Sequence, residues 1–143
     1  MSKKQVLVAE DEADIRMLIA FSLEYLGYKV VQVANGEDAV KEALADPPDL
    51  IMLDVRMPRL NGYEVCKKLK EEKSTKDIPV IFLSAAGQET EIRYGLELGA
   101  VEYIIKPFAP DVLQQRVASV LGRVEHKKGH SPTPSSSKGV GSR

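Results

Sequence analysis

Short apolar runs alternate with longer stretches of helical periodicity along the chain. Val6-Leu7-Val8-Ala9 is an uninterrupted apolar run, the mark of a strand buried on both faces. Beyond the acidic Glu10-Asp11-Glu12, the positions Ile15, Leu18, Ile19, Ser22 and Leu26 follow the spacing of one helix face. Gly27 sits where a C-terminal helix cap belongs. Residues 28–33 read as a second strand, and Asn35-Gly36 opens a helix through Leu44 that Pro47-Pro48 ends. Leu50-Ile51-Met52-Leu53 predicts a third buried strand, closing at Asp54, and residues 62–69 a helix. Residues 79–83 predict a fourth strand, 89–98 a helix closed by Gly99, and 101–105 a fifth strand. The last helix is expected over 110–121, with Leu113, Val117, Val120 and Leu121 on one face.

A strand–helix pair repeated five times with short connections predicts an α/β fold with helices on both faces of a parallel sheet. Right-handed crossovers favour a doubly wound, flavodoxin-like sheet in the order 2-1-3-4-5. Ligand sites in such sheets form beyond the carboxyl ends of the strands. Those ends carry Glu10 and Asp11, Asp54, Ser84 and Lys106. The three carboxylates would converge between strands 1 and 3, where they repel unless a cation joins them or a proton neutralises one. An oxygen-only donor set suits Mg2+, which keeps waters and favours phosphoryl groups. Lys106 adds a compact positive charge and Ser84 a hydroxyl donor, both suited to a phosphoryl oxygen beside a metal. Singly, each residue has a plainer reading as a helix-dipole acid, a loop cap or a surface charge. Their joint arrival at successive strand ends is what points to chemistry.

Composition narrows the field. The chain has 143 residues, 43% of them hydrophobic and 29% charged, which fits one globular domain. Its formal charge of −1 gives no support for direct nucleic-acid binding through bulk electrostatics. No apolar run is long enough to span a membrane, and the first residues lack the apolar core of a signal peptide, so a cytoplasmic address is expected. The lone Cys66 excludes a disulfide framework and is expected to be a packing or half-exposed residue rather than a redox one. Both histidines, His126 and His130, lie in the final stretch, which excludes histidine-based nucleophilic catalysis or metal ligation in the globular part. From Gly122 onward 5 basic residues face 1 acidic one, and the stretch beyond Lys127 is rich in Ser, Pro and Gly. The expected division is therefore a domain over 3–123 and a disordered, polar basic tail or linker over 124–143.

At this point the sequence resembles the receiver domain of two-component response regulators, over roughly residues 3 to 123. The resemblance rests on Val8-Ala9-Glu10-Asp11-Glu12, on Leu53-Asp54-Val55-Arg56-Met57-Pro58 with Asn61-Gly62, and on Leu83-Ser84-Ala85. It is completed by the segment from Gly99 through Lys106-Pro107-Phe108. The resemblance implies that Asp54 accepts a phosphoryl group from a sensor histidine kinase or a histidine phosphotransfer protein. It implies Mg2+ held by Asp11 directly, by Glu10 through water, by Asp54 and by the main-chain carbonyl of Arg56. Glu10 stands where many members have aspartate. Ser84 would bond the phosphoryl oxygen, Lys106 would pair with it, and Lys106-Pro107 would be a cis peptide that aims the lysine. Tyr103 stands at an aromatic switch position, and would move inward as Ser84 is drawn to the phosphoryl group. Such a domain catalyses its own phosphorylation and dephosphorylation and is not a turnover enzyme.

Rival readings meet specific obstacles. A flavin binder would place a phosphate against Glu10-Asp11-Glu12, which repel it without a metal. An aspartyl-phosphate phosphatase needs a second carboxylate two residues after its nucleophile, where this chain has Arg56. No Gly-rich nucleotide loop occurs. The remaining alternative is a receiver-like module that binds proteins independently of phosphorylation. The 22 residues after Leu121 are too few for an output domain, so the chain is expected to act alone by protein contact or as the receiver of a longer protein. The surface from helix 4 through strand 5 to helix 5 is the candidate interface, including a homodimer. There Glu102 and Arg116 form an acid–base pair suited to bridging two copies, while Ile92, Val101 and Val112 would, if exposed, form an apolar patch.

Overall fold

The computed structural model describes residues 3–129, with side chains described through 122. In chain order the elements are β1 (Gln5–Ala9), α1 (Ala13–Tyr25), β2 (Lys29–Val33), α2 (Gly36–Ala45) and β3 (Leu50–Asp54). They continue with α3 (Gly62–Lys70), β4 (Val80–Ser84), α4 (Glu89–Glu97), β5 (Glu102–Ile105) and α5 (Pro110–Gly129). The strands form one sheet in the order β2-β1-β3-β4-β5, and every neighbouring pair is parallel. This is the doubly wound arrangement expected from the strand–helix repeat.

Strand alternation sorts the core into two clusters. Val6, Val8, Leu50, Met52, Ile81, Leu83 and Ile104 face α1 and α5, where Ile19, Leu23, Leu113 and Val117 pack on them. Leu7, Ala9, Ile51, Leu53, Phe82 and Tyr103 face the other way, against Ala39 and Ala43 of α2 and Val65, Cys66 and Leu69 of α3. A central strand with both rows apolar can lie only in the middle of a layered sheet, so β3 and β4 are buried along their whole length. Cys66 packs in this second cluster with no exposure, and burial pushes its thiol pKa up.

Several helix starts are fixed by side chains. Asn35 accepts from the Asp38 N–H at 2.8 Å. Asn61 and Glu64 form a reciprocal capping box, with bonds of 2.9 and 2.8 Å. Gly27 and Gly99, which follow α1 and α4, have φ of +97° and +112°.

Helix α5 runs to Gly129, past the expected end at Leu121. The apolar stripe stops at Leu121, but no Pro or Gly interrupts residues 123–128. Much of the tail expectation, residues 130–143, lies outside the described residues. Among the described residues, no helix is long and apolar enough to cross a membrane.

Candidate functional site

Strand register assembles the site. Ala9 is level with Leu53, so Glu10 follows β1 beside Asp54 at the end of β3. Asp54 is level with Leu83, and Ser84 with Ile105, so Ser84 and Lys106 step outward around the same sheet end. The main chain locks this staircase: Val55 N–H donates to the Leu83 carbonyl and Lys106 N–H to the Ser84 carbonyl, each at 2.9 Å. Gly62 closes the floor, its N–H donating to Val55 at 2.9 Å. A Cβ at Gly62 would lie 2.5 Å from the Asp54 carbonyl oxygen, so no larger residue fits without moving the loop after Asp54.

The ligand atoms of Glu10, Asp11 and Asp54 lie within 4.8 Å of one another. Glu10 and Asp54 are buried and Asp11 is exposed. Lys106 stands between the buried acids, with Nζ 2.8 Å from Glu10 Oε1 and 3.2 Å from Asp54 Oδ1; Glu12 is at 4.0 Å. The Glu10 contact supplies a counter-charge but lacks hydrogen-bond geometry, leaving buried Oε1 without a hydrogen-bond partner. Burial first, and the neighbouring Glu10 carboxylate second, push Asp54 up to about 7, while Lys106 pulls it back. Burial alone would lower Lys106, but Glu10 and Asp54 together outweigh it and hold its ammonium above the ordinary value.

A small open cleft of about 210 Å³ is lined by Asp11, Glu12, Asp54, Arg56, Ser84, Ala85 and Lys106. Three carboxylates with ligand oxygens within 4.8 Å of one another form an all-oxygen donor set that fits a hard divalent cation such as Mg2+. Asp54, pushed up to about 7 by burial and Glu10, would also gain from a cation that favours its charged form.

The remaining expected residues are placed as follows. Ser84 is buried, and its Oγ accepts from the Ala86 N–H at 2.9 Å. Arg56 lies at the rim of the cleft, and the Lys106–Pro107 peptide is cis. Tyr103 is already inward: it is 8% exposed, and its hydroxyl reaches the Ala86 carbonyl at 3.0 Å. An inward swing from solvent is therefore not what this conformation has left to make. Ile92 packs against the core with the α2/α3 side, so it does not belong to an exposed patch. Tyr94, Leu96, Val101, Ile105 and Val112 are the exposed large apolar side chains from α4 through α5 among the described residues. Glu102 and Arg116, read as partners across two copies, pair with each other within one chain at 3.0 Å.

Two residues with structural links to the site carried no clear sequence signal. Arg16 Nη1 donates to the Glu10 carbonyl at 2.8 Å, fixing the peptide that carries the first acid. Its only sequence mark is a cation one turn into α1. Tyr63 bonds the Tyr103 hydroxyl at 3.0 Å across 40 residues of sequence.

Residues 6–118 match the family described as the response regulator receiver domain. A probable transcriptional regulator, ycf27 of Porphyridium aerugineum, is 41% identical over 95% of this chain and 55% of its own length. The alkaline phosphatase synthesis transcriptional regulatory protein PhoP of Bacillus subtilis is 43% identical over 85% of this chain and 50% of its own. The chain thus spans about half the length of these curated relatives. Among solved structures, a putative response regulator from Chloroflexus aurantiacus superposes with a TM-score of 0.81 at 32% identity, covering 85% of this chain and 100% of that one. The receiver domain of the sensor histidine kinase PA1611 from Pseudomonas aeruginosa, crystallised with magnesium in its active-site cleft, gives 0.78 at 30% identity, covering 85% and 99%. With a family match across most of the described residues, this chain belongs to the response regulator receiver domains.

Proposed function

We propose that Asp54 is a phosphoacceptor that takes its phosphoryl group from the phosphohistidine of a sensor histidine kinase or a phosphotransfer protein. The observation that carries this is the meeting of Glu10, Asp11 and Asp54 within 4.8 Å, with Lys106 Nζ 3.2 Å from Asp54. An Asp54 carboxylate oxygen attacks phosphorus, a P–O bond forms as the P–N bond breaks, and the departing imidazole nitrogen takes up a proton. Lys106 offsets the negative charge of the phosphoryl group, and the Ser84 hydroxyl donates to one of its oxygens. Glu10, Asp11, Asp54 and the Arg56 main-chain carbonyl would hold Mg2+. Bound there, the ion would neutralise charge shared by the carboxylates and the phosphoryl oxygens.

The product is an acyl phosphate with a good leaving group, so the modification reverses by hydrolysis in the same site. The output is a shift in population at the surface of α4, β5 and α5, read by a partner or a separate domain. Since relatives are named transcriptional regulators, the proposed output is control of transcription.

Incubation with a small acyl phosphate and Mg2+ is expected to phosphorylate the protein, read by a mobility shift on phosphate-affinity gels and by mass. Asp54→Ala and excess EDTA should each abolish the signal. Asp11→Ala should weaken the metal dependence more than Glu10→Ala. Labelling that survives in Asp54→Ala overturns the assignment. No labelling of the wild type under any condition leaves a protein-binding module instead.

A further inference from the structure

We propose that Tyr63 is a positioning residue for the switch: its hydroxyl donates to Tyr103, holds that ring inward, and ties it to the loop after Asp54 by a route separate from Ser84.

The direction of the hydrogen bonds follows from what each group can do. The Ala86 carbonyl accepts only, so the single proton of Tyr103 is directed to it at 3.0 Å. The second contact of the Tyr103 hydroxyl, 3.0 Å from the Tyr63 hydroxyl, must then be accepted from Tyr63. Burial, and next the bond to Tyr103, hold the Tyr63 hydroxyl in its protonated donor form, with a pKa pushed up.

The donor is rigidly mounted. Tyr63 is the second residue of α3, whose first turn is closed by the Asn61–Glu64 capping box. Its neighbour Gly62 is bonded to Val55 and backs directly onto the Asp54 carbonyl. The Tyr63 ring is gripped edge-to-face by Phe82 at 5.0 Å and by Tyr94 at 4.9 Å. A continuous path therefore runs from Asp54 through Gly62, Tyr63 and Tyr103 to Ala86, and closes through the Ala86 N–H on Ser84 Oγ. Ser84 and Tyr63 approach the switch ring from opposite sides of this circuit. The inward ring is thus favoured without a phosphoryl group, and a shift of the Asp54 loop reaches it through α3.

The link to phosphorylation rests on the phosphoacceptor reading above; the latch itself does not. The test is NMR of protein with ring-labelled tyrosines, first in EDTA. In the wild type Tyr103 should give one set of signals with close contacts to Phe82. Tyr63→Phe keeps the ring and removes the hydroxyl, and should raise the outward-to-inward ratio of Tyr103 about threefold to tenfold, the range of one net hydrogen bond. Tyr94→Phe removes a hydroxyl from the same cluster but outside the circuit, and should leave Tyr103 unchanged. In a double-mutant cycle on the unfolding equilibrium, Tyr63→Phe and Tyr103→Phe should couple by a similar factor. Tyr103 signals unmoved in Tyr63→Phe, or additive effects in the cycle, overturn the latch. Adding Mg2+ and fluoroberyllate should then return the Tyr103 ring of Tyr63→Phe to its inward position. If fluoroberyllate binds neither protein while the hydroxyl effect is present, the phosphoacceptor reading fails and the latch stands.

Discussion

The two faces of the sheet are built from different material. On the α1/α5 side the buried side chains are almost all aliphatic, from Val6 and Leu50 to Leu113 and Val117. A polar tie on that side is Gln114 Nε2 donating to the Ser22 carbonyl at 2.8 Å. On the α2/α3/α4 side the packing ends in rings with polar tips: Phe82, Tyr103, Tyr63 and Tyr94, with centroid separations of 4.9 to 6.0 Å. Alternation assigns the site residues between these faces. Glu10 continues the row of Val6 and Val8, and Asp54 that of Leu50 and Met52, over the aliphatic side. Ser84 instead continues the row of Phe82, over the aromatic side. The acids therefore stand on close-packed aliphatic layers that have one arrangement. The Ser84 hydroxyl belongs to the face where the Tyr103 hydroxyl meets both Ala86 and Tyr63. The acid cluster and the aromatic network share one sheet end and lie over opposite faces of it.

That contrast can be broken most severely on the aliphatic side. Leu113 has no exposure, so Leu113→Ala should cost about 2–5 kcal/mol in urea unfolding. The Tyr103 signals of the molecules that stay folded should be unmoved. A Tyr103 shift would mean that the faces are mechanically linked.

On the aromatic side, Gly95→Ala sets a Cβ 2.9 Å from the Phe82 ring and 3.1 Å from Tyr103. Displacing both rings should cost about 1–3 kcal/mol, offset by about 1 kcal/mol of helix propensity. The net loss is therefore about 0–2 kcal/mol, below that of Leu113→Ala, and the expected signature is a perturbed Tyr103 spectrum. A large destabilisation with Tyr103 unmoved would show that the aromatic face does not yield.

The acid cluster responds to pH in a defined direction. Folding raises Asp54 from 3.8 to about 7, so between these values the folded state binds the proton more tightly. Stability from this group is present at low pH and is lost as pH rises through about 7. In EDTA, Asp54→Asn should raise the melting temperature by a few degrees at pH 8 and change it little below pH 4. Mg2+ should narrow the gap at pH 8. An equal gain at both pH values would show that charge is not the cause.

The smallest effect belongs to Arg116→Ala. It removes a 3.0 Å pair to Glu102 that is partly exposed on both sides. Thermal unfolding should register a loss under about 1 kcal/mol, further reduced in high salt.

The sequence by itself determined the layered fold and the placement of Glu10, Asp11, Asp54, Ser84 and Lys106 around one sheet end. Both follow from period: uninterrupted apolar runs specify strands buried on two faces, and the residue that ends each run lies at the carboxyl edge. Asn61 and Glu64 carried a capping signature as well. Tertiary structure alone decided which side chains meet across elements. Tyr63 and Tyr103 are 40 residues apart, and the period of α3 says that Tyr63 lies near an apolar face without saying which hydroxyl waits there. Ile92 turned to the core and Tyr94 outward because the roll of α4 is set by the approach of Gly95 to Phe82 and Tyr103, a distance that no local pattern encodes. Glu102 found Arg116 in its own chain because β5 and α5 bring their side chains together, while complementary charge in the sequence is equally compatible with a second copy. Periodicity records the apolar face of each element. The roll and spacing between elements come from packing the whole sheet at once.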